Sequence, residues 1–145
     1  MNWETLRPEI RWAVEAAQDK KARNVTVLDL SDLAAFSQYF LLCSGTSSPQ
    51  LEAITDAIEE RLRQHGIRPQ HREGRPGAEW VLLDYGRIVV HIFSERARLY
   101  YDLERLWRAA PRADIPSPDD APANTPSRSG SFSSSSAPDS GTTQP

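Results

Sequence analysis

The sequence has a single cysteine, Cys43, among 145 residues, so neither an internal disulfide nor a thiolate metal cluster can form and a reducing compartment fits. Nowhere do eighteen apolar residues run together, and the first fifteen residues hold no long apolar core. Neither a membrane span nor an export signal is expected, and the chain reads as soluble and cytoplasmic. A basic excess is also lacking: before Pro111, 15 Lys and Arg stand against 16 Asp and Glu. Neutralising phosphates needs surplus positive charge on one face, so a broad nucleic-acid surface and sequence-specific readout are not expected.

Large apolar groups run out after Pro111. The stretch 111–145 is rich in Ser, Pro, Ala, Asp and Thr and offers only Ile115 and Phe132 as sizeable apolar side chains. Such a segment cannot bury enough surface to offset the entropy of ordering it. The expected organisation is one domain over 1–110, ending its order at Trp107, and a disordered Ser/Pro-rich tail over 111–145.

Within the domain, Leu6, Ile10, Ala13, Val14 and Ala17 recur at helical spacing, with Pro8 acceptable in the first turn. Val25 to Leu30 and Tyr39 to Ser44 read as strands. The turn Gly45-Thr46-Ser47-Ser48-Pro49 then opens a helix, with Ser47 or Ser48 as N-cap and Gln50 placed to complete a capping box. Leu51, Ile54, Ile58 and Leu62 form its buried stripe, and Gly66 closes it in a left-handed cap. Ile67 to Arg72 suggests a weak edge strand. Trp80 to Asp84 and Ile88 to Phe93, joined by Tyr85, Gly86 and Arg87, predict an antiparallel hairpin. Ser94 can cap a last helix carrying Ala97, Tyr101, Glu104 and Arg105 on one line and Leu99, Leu103 and Leu106 on another. The fold class is α/β, a mixed sheet with helices mainly on one face.

Chemistry is harder to find. The Gly45 to Ser48 turn could hold a phosphate at a helix N-terminus and resembles the Gly-Ser turn of nucleotidyltransferases. That chemistry needs carboxylates spaced by one residue to hold magnesium, and here Asp84 stands alone while Asp29 and Asp32 are two residues apart. The three histidines, His65, His71 and His91, show no metal-binding spacing, and His91 reads as a hydrogen-bonded sheet residue. Cys43 has no neighbouring base. No catalytic, metal or cofactor role is expected.

What the sequence does concentrate, near the hairpin and last helix, is Glu73, Trp80, Asp84, Tyr85, Arg98, Tyr100, Tyr101 and Glu104. Trp, Tyr and Arg supply much of the energy at protein interfaces. Tyr85, in a tight turn, is expected to be exposed. Trp107 and Tyr100 fit core packing and contact equally well, as does Trp80 at the start of its strand.

Five blocks carry a resemblance that extends over nearly all of the chain before the tail: Tyr39-Phe-Leu-Leu-Cys-Ser-Gly-Thr-Ser-Ser48, Arg72-Glu-Gly74, Ala78-Glu-Trp-Val-Leu-Leu-Asp-Tyr-Gly86, Val89-Val-His-Ile-Phe93 and Tyr101-Asp-Leu-Glu-Arg-Leu-Trp107. In this order they resemble the ribosomal silencing factor, or Iojap-like, family. The resemblance implies a nucleotidyltransferase-like topology without transferase activity. It also implies binding to the large ribosomal subunit through its universal protein fourteen, which blocks the small subunit sterically and represses translation when nutrients are short. Partner-binding residues carried over by motif are Trp80, Tyr85 and Tyr101, with Glu73, Asp84 and Glu104 as acidic partners for a basic ribosomal protein. The family commonly has Asp where this chain has Gln38 and Arg87, a loss of negative charge expected near the contact face. Binding as a monomer on the ribosome is implied, with self-pairing in solution left open by the aromatic patch. A late factor in large-subunit assembly and a nucleotidyltransferase-like enzyme are the alternatives.

Overall fold

A computed structural model describes residues 5–33 and 38–118. The chain divides into two units, Met1–Ile115 and Pro116–Pro145. Of the second, only residues 116–118 are among those described, so the expected disordered tail lies, over 119–145, outside the described residues.

The first unit runs α1 (Pro8–Asp19), β1 (Arg23–Asp29), β2 (Tyr39–Gly45), α2 (Ser48–Gln64), β3 (His71–Glu73), β4 (Trp80–Asp84), β5 (Ile88–Ser94), α3 (Glu95–Tyr101), α4 (Leu103–Leu106) and β6 (Arg112–Asp114). Six strands form one sheet in the order β3-β4-β5-β2-β1-β6. Only β2 and β5 pair in parallel, Tyr39 opposite Ile88 through Gly45 opposite Ser94; the other neighbours are antiparallel. The mixed α/β class is as expected.

Strand alternation sorts the side chains onto two faces. On one, Val27, Leu41, Cys43, Val81, Leu83, Val90 and Ile92 pack with Ile10, Val14, Leu51, Ile54, Ile58 and Leu62 of α1 and α2. On the other, Leu28, Phe40, Leu42, Val89 and Phe93 pack with Ala97 and Ala110, and Trp80, Leu82, Leu103 and Trp107 lean against them. The two long helices share a face, and the short α3 and α4 cover the second.

Local chemistry explains the ends of α2. Ser47 accepts the Gln50 N–H at 3.2 Å, as an N-cap should. The capping box itself does not close. The Gln50 carboxamide oxygen instead accepts the Thr46 N–H at 2.6 Å, and its nitrogen donates to the Lys20 and Lys21 carbonyls, tying the α1 exit to this turn. At the other end Gly66 has φ +78°, and Ile67 and Gly66 donate to the Leu62 and Arg63 carbonyls, a Schellman closure that a non-glycine residue would strain.

Three expectations fail. The edge strand is His71–Glu73 rather than 67–72, beginning only past Pro69, which has no N–H to give a ladder. The last helix is two pieces, broken by Asp102 at φ +50°, so Leu99 and Leu106 do not make a buried line; they are 80% and 70% exposed. Order does not end at Trp107 or at Pro111 either. Arg112–Asp114 pairs with β1, Val27 opposite Ala113, and Ile115 is buried beside it. Two modest apolar side chains suffice there because the ladder hydrogen bonds and flanking ion pairs do the rest.

Candidate functional site

The antiparallel register brings Trp80 opposite Phe93, and Leu82 opposite His91, all toward the α3 side. The Trp80 indole Nε1 donates to His91 Nδ1 at 3.1 Å. Its ring packs on Phe93, with centroids 5.0 Å apart, and beneath Tyr101 of α3 at 4.6 Å; Tyr100 meets Tyr101 edge-on at 5.0 Å. Aromatic rings thus run from the core out to solvent, tilted at Trp80 and edge-on between Tyr100 and Tyr101. Because Nδ1 accepts from the indole, the neutral imidazole carries its proton on Nε2, which is buried without a hydrogen-bond partner among the described residues. Burial pushes the His91 pKa down to about 3, so the ring stays neutral and keeps accepting. His91 is the hydrogen-bonded sheet residue expected.

Outside these rings, Leu99, Tyr100, Tyr101 and Leu106 are 80%, 79%, 50% and 70% exposed. Large apolar groups left in solvent on two consecutive short helices mark a contact surface more often than chance exposure does. Trp80 itself is half-buried.

The other expected residues fall elsewhere. Tyr85 is not exposed: strand parity turns it toward α2, on the opposite face from Trp80, where it packs against the α1–α2 core. Its hydroxyl is buried without a partner among the described residues, and burial, with the nearby Glu59 carboxylate, raises its pKa. Asp84 sits at the hairpin and accepts the Gly86 N–H at 2.8 Å, which fixes the turn. Glu73 is exposed on β3, opposite Leu82, and meets His71 at 2.6 Å. Glu104 takes both oxygens to Arg98, at 3.0 and 3.1 Å, and a third hydrogen bond from Arg112 at 3.0 Å. The hydrogen bonds from Arg98, and the positive charge of Arg98 and Arg112, hold its carboxyl below the usual range. Of the six, Trp80 and Tyr101 touch, Glu104 is engaged by Arg98 and Arg112, and Glu73, Asp84 and Tyr85 have the separate partners just given.

Gln38 and Arg87 also lie away from it. The Gln38 and Tyr39 N–H groups donate to the Arg87 carbonyl, at the end of the sheet where Tyr39 opposes Ile88. Trp80 opposes Phe93, five residues or about 17 Å along β5. The charge change is therefore at the hairpin end rather than beside the aromatic patch, as a reading of the sequence alone could not tell.

Sequence reasoning missed Arg98 as a buried group. It is only 8% exposed, and all five of its N–H groups find acceptors: Glu104 twice, Thr26 Oγ1 at 3.1 Å, Ser44 Oγ at 3.2 Å and the Asn24 carbonyl. Asn24 can present that carbonyl because it sits at φ +51° where the β1–β2 register shifts, a conformation asparagine tolerates. No local signal marks that burial, since Thr26, Ser44 and Asn24 lie on β1 and β2, far from Arg98 in sequence.

At the Gly45 to Ser48 turn several donors are already engaged. Thr46, Gln50 and Leu51 already donate their N–H groups to Gln50 Oε1, Ser47 Oγ and the Ser47 carbonyl, and Pro49 has none. Burial raises the Cys43 thiol to about 12, the opposite of an activated nucleophile. Among the described residues no group of three His, Cys, Asp or Glu could hold a metal, and no helix is long and apolar enough to cross a membrane.

Comparison with known proteins draws these features together. The sequence profile described as "Ribosomal silencing factor during starvation" matches residues 4–141. The chain is 40% identical over 106 residues to the ribosomal silencing factor RsfS of Bacillus subtilis, covering 73% of this chain and 90% of that one. It is 28% identical over 110 residues to the chloroplastic protein Iojap of Arabidopsis thaliana, covering 74% of this chain and 46% of that one. A crystal structure from Chromobacterium violaceum superposes with TM-score 0.68 at 29% identity, covering 83% of this chain and 98% of that one, and one from Bacillus halodurans with 0.64 at 37%, covering 73% and 96%. A profile spanning almost the whole sequence and a relative at this identity leave one conclusion: the chain belongs to the ribosomal silencing factor family.

Proposed function

We propose that this protein binds the large ribosomal subunit through its universal protein fourteen and, by occupying that face, excludes the small subunit and represses translation under nutrient limitation. The observation that carries the reading is exposed Tyr101 packed on Trp80, with Leu99, Tyr100 and Leu106 also exposed on the same two short helices, in a chain of this family. Trp80 and Tyr101 form the contact centre, and Glu73, which lies on the same face of the sheet, is the acidic group turned to a basic partner. Tyr85, packed under α2, is left out of the contact, and Asp84 acts by holding the hairpin. The protein acts as a monomer on the ribosome, in the cytoplasm, without a cofactor and without catalysis: its effect is steric. An aromatic centre ringed by polar groups is how interfaces of about 800 Å² per partner concentrate their energy.

Sucrose-gradient sedimentation of purified subunits, with and without the protein and at magnesium concentrations that favour joined ribosomes, tests this. Co-migration with the large subunit and loss of joined particles is the expected result. Failure to migrate with either subunit overturns the reading.

A further inference from the structure

α3 and α4 have seven and four residues, far below the length at which a helix stands without tertiary support. Their large apolar residues Leu99, Tyr100 and Leu106 point outward and anchor nothing, while inward they offer Ala97, Leu103 and, just beyond α4, Trp107. The remaining attachment is polar: Glu95 pairs with Arg23, Arg96 pairs with Glu79, and a further set of bonds forms a closed ring. Arg98 donates to Glu104; Glu104 accepts from Arg112; Arg112 donates to Asp114 at 2.8 Å; Asp114 accepts from Thr26 Oγ1 at 2.9 Å; and Thr26 Oγ1 accepts from Arg98. Its members come from α3, α4, β6 and β1, so it joins the short helices to the far edge of the sheet.

We propose that this ring sets the position of the aromatic face, with Arg98, Glu104 and Arg112 as positioning residues for the large-subunit contact; the inference rests on the function proposed above. Tyr101 stands one turn beyond Arg98 on α3, so displacing the guanidinium moves the phenol off the Trp80 indole. Lysine, with three donors on a flexible stem, cannot replace a planar group that fills five acceptors. The ring also changes what Glu104 does: its carboxylate is used inside the protein and is not the acid offered to a basic partner.

The two roles of Glu104 give opposite signs at Arg112. If Glu104 met a basic partner directly, removing the neighbouring cation would leave binding unchanged or strengthen it. If the ring positions the face, the same change weakens binding. The test uses the full chain carrying 5-fluorotryptophan, whose four tryptophans give separate fluorine resonances, with Trp80→Phe assigning one of them. Affinity for purified large subunits is measured beside the spectra. Glu104→Gln is expected to weaken binding about tenfold and Arg112→Gln about fivefold, with the double variant no weaker than Glu104→Gln alone, as members of one network behave. Each should shift the Trp80 resonance below the unfolding transition, which loss of stability alone does not do. Arg63→Gln, which breaks the ion pair to Glu60 on the outer side of α2, should change neither readout. An unmoved Trp80 resonance in Glu104→Gln and Arg112→Gln, or an Arg112→Gln protein that binds as tightly as the parent, overturns the proposal. Should the parent itself fail to bind, the function proposed above falls, and the Trp80 resonance alone then decides the ring: a shift supports it and no shift overturns it.

Discussion

The face of the sheet under α1 and α2 and the face under α3 and α4 bury different things. Under the long helices the buried side chains are aliphatic, with Cys43 and with Thr55, whose hydroxyl donates to the Leu51 carbonyl of its own helix. Under the short helices lie Thr26, Ser44, His91 and Arg98, four of the five buried polar residues among those described. Apolar packing is tolerant of small shifts and scales with area, whereas hydrogen bonds to a buried guanidinium hold only in one geometry. The first face supplies stability. The second spends part of its apolar surface on solvent and needs directional bonds to keep that surface in shape.

The widest separation of the two faces should come from Ile54→Ala. Ile54 is fully buried between α2 and the sheet, so its truncation should cost about 3 kcal/mol in urea unfolding while the folded fraction still binds the large subunit normally. Weakened binding by fully folded Ile54→Ala protein would break the comparison. Trp80→Ala tests the other side: a loss of about 2 kcal/mol in affinity, roughly thirtyfold, is expected at the contact centre. Unchanged affinity in a folded Trp80→Ala chain would remove Trp80 from the contact.

A pH titration sharpens the contrast further. His91 is neutral when folded down to about pH 3, while the unfolded chain takes up that proton near its ordinary value of 6.5. The unfolded state therefore binds more protons as pH falls below 6.5, and stability drops by up to about 1.4 kcal/mol per pH unit until the folded ring protonates. His91→Phe should flatten the stability profile between pH 6.5 and 5, above the range in which carboxylates titrate. An unaltered slope would show that the imidazole is not desolvated as described. The smallest effect belongs to Gly66→Ala. Nothing lies within 4 Å of the added methyl, so only the left-handed backbone resists it, at about 1 kcal/mol, with no change in ribosome affinity.

The same contrast explains what could be read before the structure. α2 and the β4–β5 hairpin were legible because their signals are local: the 51, 54, 58, 62 stripe, the Ser47 cap, and three loop residues between two apolar runs. β6 was not, since Arg112-Ala113-Asp114 has no strand pattern of its own and exists through its pairing with Thr26, Val27 and Leu28. Trp80 and Tyr101 were named as contact residues together with Tyr85, and the first two touch, whereas Tyr85, expected to be exposed, is half-buried because its orientation depends on strand parity carried past Asp84. Arg98 was grouped with the aromatic contact candidates; its burial requires the bulged Asn24 and a serine on β2, neither of which is near it in sequence. Whether Glu104 was free for a partner depended on Arg112, which lay past the expected end of the domain.

The pairing of β6 with β1 has a consequence in time. Synthesis delivers the chain from its first residue onward, and segments that fold locally do so as they emerge. α1, β1, β2 and α2 can meet early, yet Thr26 finds Asp114 only after 88 further residues have been made. A nascent chain paused before Arg112 would carry most of its hydrophobic core but neither β6 nor the ring that Arg112 and Asp114 close. If the ring positions the contact face as proposed, the molecule acquires that face only once the stretch through Ile115 has been translated.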